Sequence, residues 1–303
     1  MRVLLLAVLF LTACASDRSE PGQKAADLSQ VMAVEVTNYP LEYVVNRIGG
    51  SRVKVEFRAA GEADPAYWRP TPEDVVAMQE ADLIFVNGAG YEPWLNDVSL
   101  PGSRVIDTTT DVGDRLVPVQ GQVTHSHGAG GEHEHAGTAF TTWLDLSILI
   151  DQSTAVADAL MERWPEQGPE FKRRALELRT DLEALDAELI AVARSIESTQ
   201  FVFSHPVYQY LQQRYGFAGP SVHWEPDVTP DEVALAEFDE MAGRDGFTIM
   251  IWEGTPTPAT AGALRARGIE PVEFDPCAGR PDSGDLLDVL RSGVSNLQSI
   301  TSH

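Results

Sequence analysis

Four of the seven histidines in this 303-residue chain, His125, His127, His133 and His135, fall within eleven residues that also hold Glu132 and Glu134. Neutral imidazole suits Zn2+, Cu2+ and Ni2+, and a short His-rich tract is metal-binding by composition. Gly128, Gly130 and Gly131 deprive the same stretch of side chains that could pack a core. The expectation is a solvated loop over 124–135 that binds metal loosely, because ordering it costs conformational entropy. A second set is more dispersed. His205, Glu253 and Asp275 each follow the end of a short apolar run (201–203, 248–252 and 271–274). In open parallel sheets ligands bind outside the carboxyl ends of the strands, so these runs, if strands, bring three potential cation ligands to one sheet edge. Singly each is as well explained as a helix cap, His205 above all because Pro206 follows it; together they point to a cation or polar-ligand site. Asp64, after the run 53–57, and Asn87, ending the run 82–87, hold the equivalent positions in the first half.

The elements that would position these residues alternate. Apolar runs at 31–36, 53–57, 82–87 and 105–107 predict strands, with helices over 40–48 and 72–80 between them. Thr71 before Pro72 is a plausible cap with proline in the first turn, and Gly49-Gly50 stops the first helix. From 147 the texture changes. Helical spacing runs over 148–164, breaks at 165–169, and resumes over 171–196 with Leu176, Leu178, Leu182, Leu185, Leu189 and Ile190. No sustained heptad is present, which favours a rigid connector over a coiled coil. The second half then repeats the first half's alternation: strands at 201–203, 248–252 and 271–274, helices at 206–215, 231–241, 259–268 and 283–300. Alternating strands and helices imply parallel sheets with right-handed crossovers. The fold class is therefore α/β: two parallel-sheet α/β lobes joined by a long rigid helix, with a ligand cleft between the lobes. The boundaries expected are 1–29 for a leader and tether, 30–146 for the N-terminal lobe with its His-rich loop, 147–198 for the helical connector and 199–303 for the C-terminal lobe.

Forty-six Asp and Glu against 22 Lys and Arg give a formal charge of −24. That excludes nucleic acid as a partner, since phosphate binding needs a clustered cationic surface. No nucleophile elbow, phosphate loop or His-Glu zincin motif is present, so the expectation is a protein that is not an enzyme. At the N-terminus, Arg2 and the apolar run 3–11 are too short to cross a bilayer about 30 Å thick and read as a secretion signal. The run ends in Leu11-Thr12-Ala13-Cys14, which resembles a bacterial lipobox and makes Cys14 the lipidated residue. With Cys14 so used, Cys277 has no intramolecular partner and no disulfide is expected.

The motifs in order resemble the zinc/manganese-binding solute-binding lipoproteins of ABC importers (cluster A-I type). The resemblance rests on Val36-Thr37-Asn38-Tyr39-Pro40-Leu41, on Pro70-Thr71-Pro72-Glu73-Asp74, and on Ala81 through Leu95. It continues with Phe203-Ser204-His205, Arg214-Tyr215-Gly216, Phe274-Asp275-Pro276 and the placement of the His-rich loop. It implies two lobes about a rigid helix, with metal held between them by three His and one acid from four loops. In this sequence the first ligand run reads Asp64-Pro65-Ala66-Tyr67 and the second Thr141-Thr142-Trp143-Leu144-Asp145, so Ala66 and Thr141 stand where two ligand histidines belong. His205 and Asp275 keep the third and fourth positions, making the chain a divergent member with two of three ligand histidines missing. Glu253, His223 or Glu225 could make up the ligand count; so could the loop histidines. The third option is a cleft rebuilt, with Tyr67, Trp68 and Trp224 nearby, for a metal complex or organic solute. The resemblance implies an exported, membrane-anchored monomer facing the periplasm or cell exterior. Its partner would be an ABC permease and its ligand Zn2+ first, with Mn2+ or Cu2+ as alternatives. An adhesion or accessory surface lipoprotein is the competing reading.

Overall fold

The computed structural model describes residues 31–62, 64–126 and 132–300, and the side chains of 120–136 are not part of that description. Cys14 and the leader, tether and His127 readings lie outside it.

The first sheet is built from β1 (Met32–Val36), β2 (Val53–Phe57), β3 (Leu83–Val86) and β4 (Val105–Asp107), all parallel in the order β2-β1-β3-β4. Two helices cross between its strands, α1 (Tyr39–Gly49) and α2 (Pro72–Glu80). Both start on side-chain caps. The Asn38 Oδ1 accepts from the Leu41 N–H at 2.9 Å. Thr71 and Asp74 form a reciprocal capping box in which each side chain accepts from the other's backbone N–H. Satisfying the first-turn donors this way is worth about 1 kcal/mol per helix.

A long α3 (Leu146–Arg163) and α4 (Gly168–Ser195) follow. The break expected at 165–169 is narrower: a single 3-10 turn over Pro165–Gln167 precedes α4, and Pro169 sits in the first turn, where proline costs no hydrogen bond. At 28 residues α4 is about 42 Å long. It buries Leu178, Leu182, Leu185, Leu189 and Val192 along one stripe, and turns Arg173, Glu177, Arg179 and Glu183 outward. The second sheet is β7 (Phe201–Phe203), β8 (Ile249–Trp252) and β9 (Glu270–Glu273), again parallel and in sequence order. Around it lie α5 (Gln209–Tyr215), α6 (Glu232–Asp245), α7 (Pro258–Arg265) and α8 (Leu286–Ile300). α5 and α8 begin three residues later than expected.

Both sheets are covered on both faces, and their strands β3, β7 and β8 are continuous buried apolar runs, whereas β2 (Val53–Phe57) and β9 (Glu270–Glu273) carry exposed charged residues. Phe201, Phe203, Ile249 and Ile251 enter the main core with α3 and α4, while Val202, Met250 and Trp252 enter a second core with Trp224, Phe238 and Leu264. The main core also takes Val34, Val36, Leu83 and Phe85 of the first sheet, so one apolar body runs through both lobes.

One expectation fails locally. The His-rich segment is not simply a loop: β5 (Pro118–Ser126) and β6 (Glu132–Thr138) pair antiparallel, with His125 opposite His133 and Val123 opposite His135. Among the described residues no helix is long and apolar enough to cross a membrane.

Candidate cation site at the edge of the second sheet

β7 does not stop at Phe203. Ser204 N–H donates to the Ile251 carbonyl at 2.8 Å, which continues the ladder one residue and delivers His205 to the carboxyl edge. On the other side of β7 runs an extended segment, 221–225. Ser221 bridges Phe203, the Val222 N–H donates to the Phe203 carbonyl (2.8 Å), and the Trp224 N–H donates to the Ser204 carbonyl (2.9 Å). In extended chain successive side chains face opposite ways. Trp224 packs into the second core, 4.7 Å from the Phe238 ring, with Val222 beside it. His223 and Glu225 therefore take the opposite side, the side on which His205 lies. Glu253 arrives from the carboxyl end of β8.

The result is a compact group. His205 Nδ1 lies 3.3 Å from Glu253 Oε1 and His205 Nε2 3.7 Å from Glu225 Oε1. One ligand atom from each of His205, Glu225 and Glu253 fits within 4.8 Å of the others, the spacing that donors around a single ion have. The His205 side chain is 5% exposed, Glu253 22% and Glu225 37%, so the group opens outward through Glu225. The His223 ring stands edge-on to that of His205, centres 5.5 Å apart.

The electrostatics of this edge are one-sided. Glu253 is pushed up to about 8, first by burial and then by Glu225, Asp64 and Asp275, all of them anions. Tyr67 is raised to about 12 by burial, Asp64 and Glu225. Asp64 and Tyr67 belong to the loop after β2, so the first lobe contributes negative charge to the site. That loop is held by Arg58, which donates to Glu35 of β1 (2.6 Å) and to Asp74 at the start of α2 (3.3 Å). Asp64 Oδ1 accepts from the Ala66 N–H at 3.0 Å and opens the 3-10 turn Pro65–Tyr67. An anionic pocket of this kind favours a cation over any neutral or negative solute.

The other expected residues are placed differently. Asp275 is not in the compact group: its Oδ1 accepts from the Cys277 N–H at 2.6 Å, and its effect on Glu253 ranks behind those of Glu225 and Asp64. Ala66 is 2% exposed and Thr141 4%, with the Thr141 hydroxyl donating to the Val207 carbonyl just beyond His205. Small buried side chains thus fill both positions where the family resemblance puts histidine. Cys277 is buried and has no disulfide partner among the described residues. The backbone pairs His125 with His133 across the hairpin. Glu225, which the sequence reading held only in reserve, is the residue that completes the group; its signal is the period-two spacing of His223 and Glu225 about the apolar Trp224.

The chain thus combines a two-lobed α/β fold with a cation-ligand group at the carboxyl edge of its second sheet. Comparison with known proteins gives the family. The family model described as zinc-uptake complex component A, periplasmic, matches residues 34–300, and the chain belongs to that family. It is 23% identical over 264 residues to the zinc-binding lipoprotein AdcA of Streptococcus pneumoniae, covering 86% of this chain and 51% of that protein. The chain thus spans about half the length of this relative. It is 22% identical over 275 residues to the high-affinity zinc uptake system protein ZnuA of Bacillus subtilis, covering 86% of this chain and 83% of that one. The crystal structure of the metal-dependent lipoprotein YcdH from Bacillus subtilis superposes with a TM-score of 0.74 at 19% identity, over 88% of this chain and 98% of the other. At that identity the superposition establishes the fold alone.

Proposed function

We propose that this chain is an exported solute-binding protein that captures a divalent transition-metal cation, zinc first, and hands it to an ABC permease. The observation that carries the proposal is the His205–Glu225–Glu253 group, three ligand atoms within 4.8 Å in a pocket whose titrating neighbours are anions. One imidazole and two carboxylates suit Zn2+ and Mn2+ alike. Bound there, a cation would offset the burial and the neighbouring carboxylates that together raise Glu253. Asp275 and Asp64 supply further negative charge at longer range. The job is capture and release, which needs no nucleophile and no proton transfer to substrate.

In this reading the histidines of the His-rich segment, His125, His127, His133 and His135, are an accessory site that gathers metal. Cys14 carries the lipid that keeps the protein at the membrane. The lobes divide at 30–146 and 199–303 about the connector 147–198, and the protein works as a monomer. The relatives' names support the choice of metal: AdcA and ZnuA are named for zinc, and the lipoprotein MntA of Halalkalibacterium halodurans for manganese. Metal analysis of protein purified without an affinity tag, followed by calorimetry with Zn2+, Mn2+ and Cu2+, tests the reading. It predicts a saturable divalent cation site that remains after the four histidines of the His-rich segment are replaced. Metal-free protein that takes up no divalent cation after that replacement would refute it.

A further inference from the structure

We propose that His223 is a ligand of the captured cation, so that one short extended segment supplies two of its donors, His223 and Glu225. The inference deepens the reading above and rests on it.

Three observations carry it. The first is direction. Trp224 is locked into the second core and hydrogen-bonded through its N–H to Ser204, so strand alternation sends His223 and Glu225 together to the side where His205 lies. The second is separation. Metal–nitrogen bonds of about 2.0–2.1 Å at near-tetrahedral angles place two imidazole ring centres about 5 Å apart on one ion. The His205 and His223 rings are 5.5 Å apart and inclined at 76°. The third is the partition of His205 itself. Its Nδ1 faces Glu253, the more buried carboxylate, and its Nε2 faces Glu225, the more exposed one. A metal-bound imidazole usually keeps its second nitrogen toward a carboxylate that fixes its orientation. Glu253, counted above among the donors, fits that orienting place once His223 supplies a nitrogen, and Nε2 faces Glu225.

The consequence concerns the two histidines missing from the first lobe. A second imidazole from 221–225 restores a nitrogen-rich donor set without Ala66 or Thr141 changing. Imidazole from His205 and His223 with carboxylate from Glu225 leaves one position of a tetrahedral ion for water or another carboxylate. Segment 221–225 lies between Pro220 and Pro226, and prolines restrict their own φ and the residue before them. The two prolines thus limit the backbone at each end of the segment that presents the donors.

The test uses Cu2+ as probe, because its electron paramagnetic resonance spectrum counts coordinated nitrogens. The parent is the full chain carrying His125→Asn, His127→Asn, His133→Asn, His135→Asn and His303→Asn. The parent is expected to show two nitrogens on the cleft Cu2+. Adding His223→Ala should leave one nitrogen and weaken binding by at least the 10- to 100-fold that loss of a supporting residue costs, roughly. His223 is exposed, so the fold should survive, and His223→Gln checks this by giving the same nitrogen count. Two nitrogens and unchanged affinity in both His223 variants would overturn the inference while leaving the cation site standing. A parent whose Cu2+ spectrum is unaltered by His205→Ala would overturn the underlying reading, and the inference with it.

Discussion

At the carboxyl end of β3, Asn87 is fully buried and each polar atom of its side chain has a protein partner. Its Oδ1 accepts from Asn38, Thr142 and Gln152 at 3.1–3.3 Å, and its Nδ2 donates to the Phe140 and Gly88 carbonyls. Beside it Glu92 accepts from Thr37 and from the backbone N–H groups of Asn87 and Gly88. At the carboxyl end of β8, by contrast, Glu253 sits among Glu225, Asp64 and Asp275 with no cation among the groups that shift it. Two edges of the same kind, in the same type of sheet, have been put to different use. The first is a closed polar network that fixes loops, and Ala66 and Thr141, where the family resemblance puts histidines, are small and buried. The second is an open group of donors in which burial and the neighbouring carboxylates disfavour the charged form of Glu253. Groups kept in mutual repulsion cost stability, and such cost is characteristic of a binding site rather than a scaffold.

Asn87 is where a single substitution should have the largest effect. Asn87→Ala strands several buried partners at once and should lower the unfolding free energy by about 3 kcal/mol, measured by urea denaturation, while cation affinity stays unchanged. Loss of affinity on the same scale would mean that the two edges are coupled and not separate in role.

A smaller effect sharpens the other side. Glu253 is raised from 4.5 to about 8 in the folded chain, so the native state binds more protons than the unfolded state across that interval. The contribution of Glu253 to the stability of the metal-free protein should be fully present below about pH 4.5 and be lost as pH rises through about 8. Glu92, raised to about 7 because burial outweighs its three donors, contributes a decline of the same sign. Glu253→Gln should remove the upper part of the decline and stabilise the metal-free chain above pH 8 by on the order of 2 kcal/mol, allowing for its partial exposure. Denaturation in chelator at pH 5 and pH 8.5 reads both slopes. An unchanged slope in Glu253→Gln would show that solvent, not neighbouring carboxylates, governs that residue.

Much of this architecture is legible in the amino-acid order because the physics that sets it is local. Buried parallel strands need uninterrupted apolar runs such as Leu83–Val86 and Ile249–Trp252, and helices need starts such as Thr71-Pro72. His205 and Glu253 are visible as residues just past such runs. The hairpin is harder to see, since β5 and β6 carry glycine, histidine and glutamate where apolar alternation would announce a strand. The group around His205 is only half visible. Glu225 joins it through segment 221–225, which pairs with β7 at a single bridge and a few hydrogen bonds, and that pairing is a tertiary event with no run of strand formers to mark it. Asp275 is also visible as a residue just past an apolar run; its Oδ1 accepts from the Cys277 N–H, in a turn where Cys277 takes positive φ, and its second oxygen stays available.

The most direct test of the division between the two edges is calorimetric titration of Zn2+ into the chain carrying His125→Asn, His127→Asn, His133→Asn and His135→Asn, with and without His205→Ala. The account predicts one cleft cation in the first protein, bound at least about 100-fold more weakly once His205→Ala removes a ligand of the site, with the unfolding transition of the metal-free chain little changed. Equal Zn2+ affinity in the two proteins would contradict it and move the cargo site away from the second sheet.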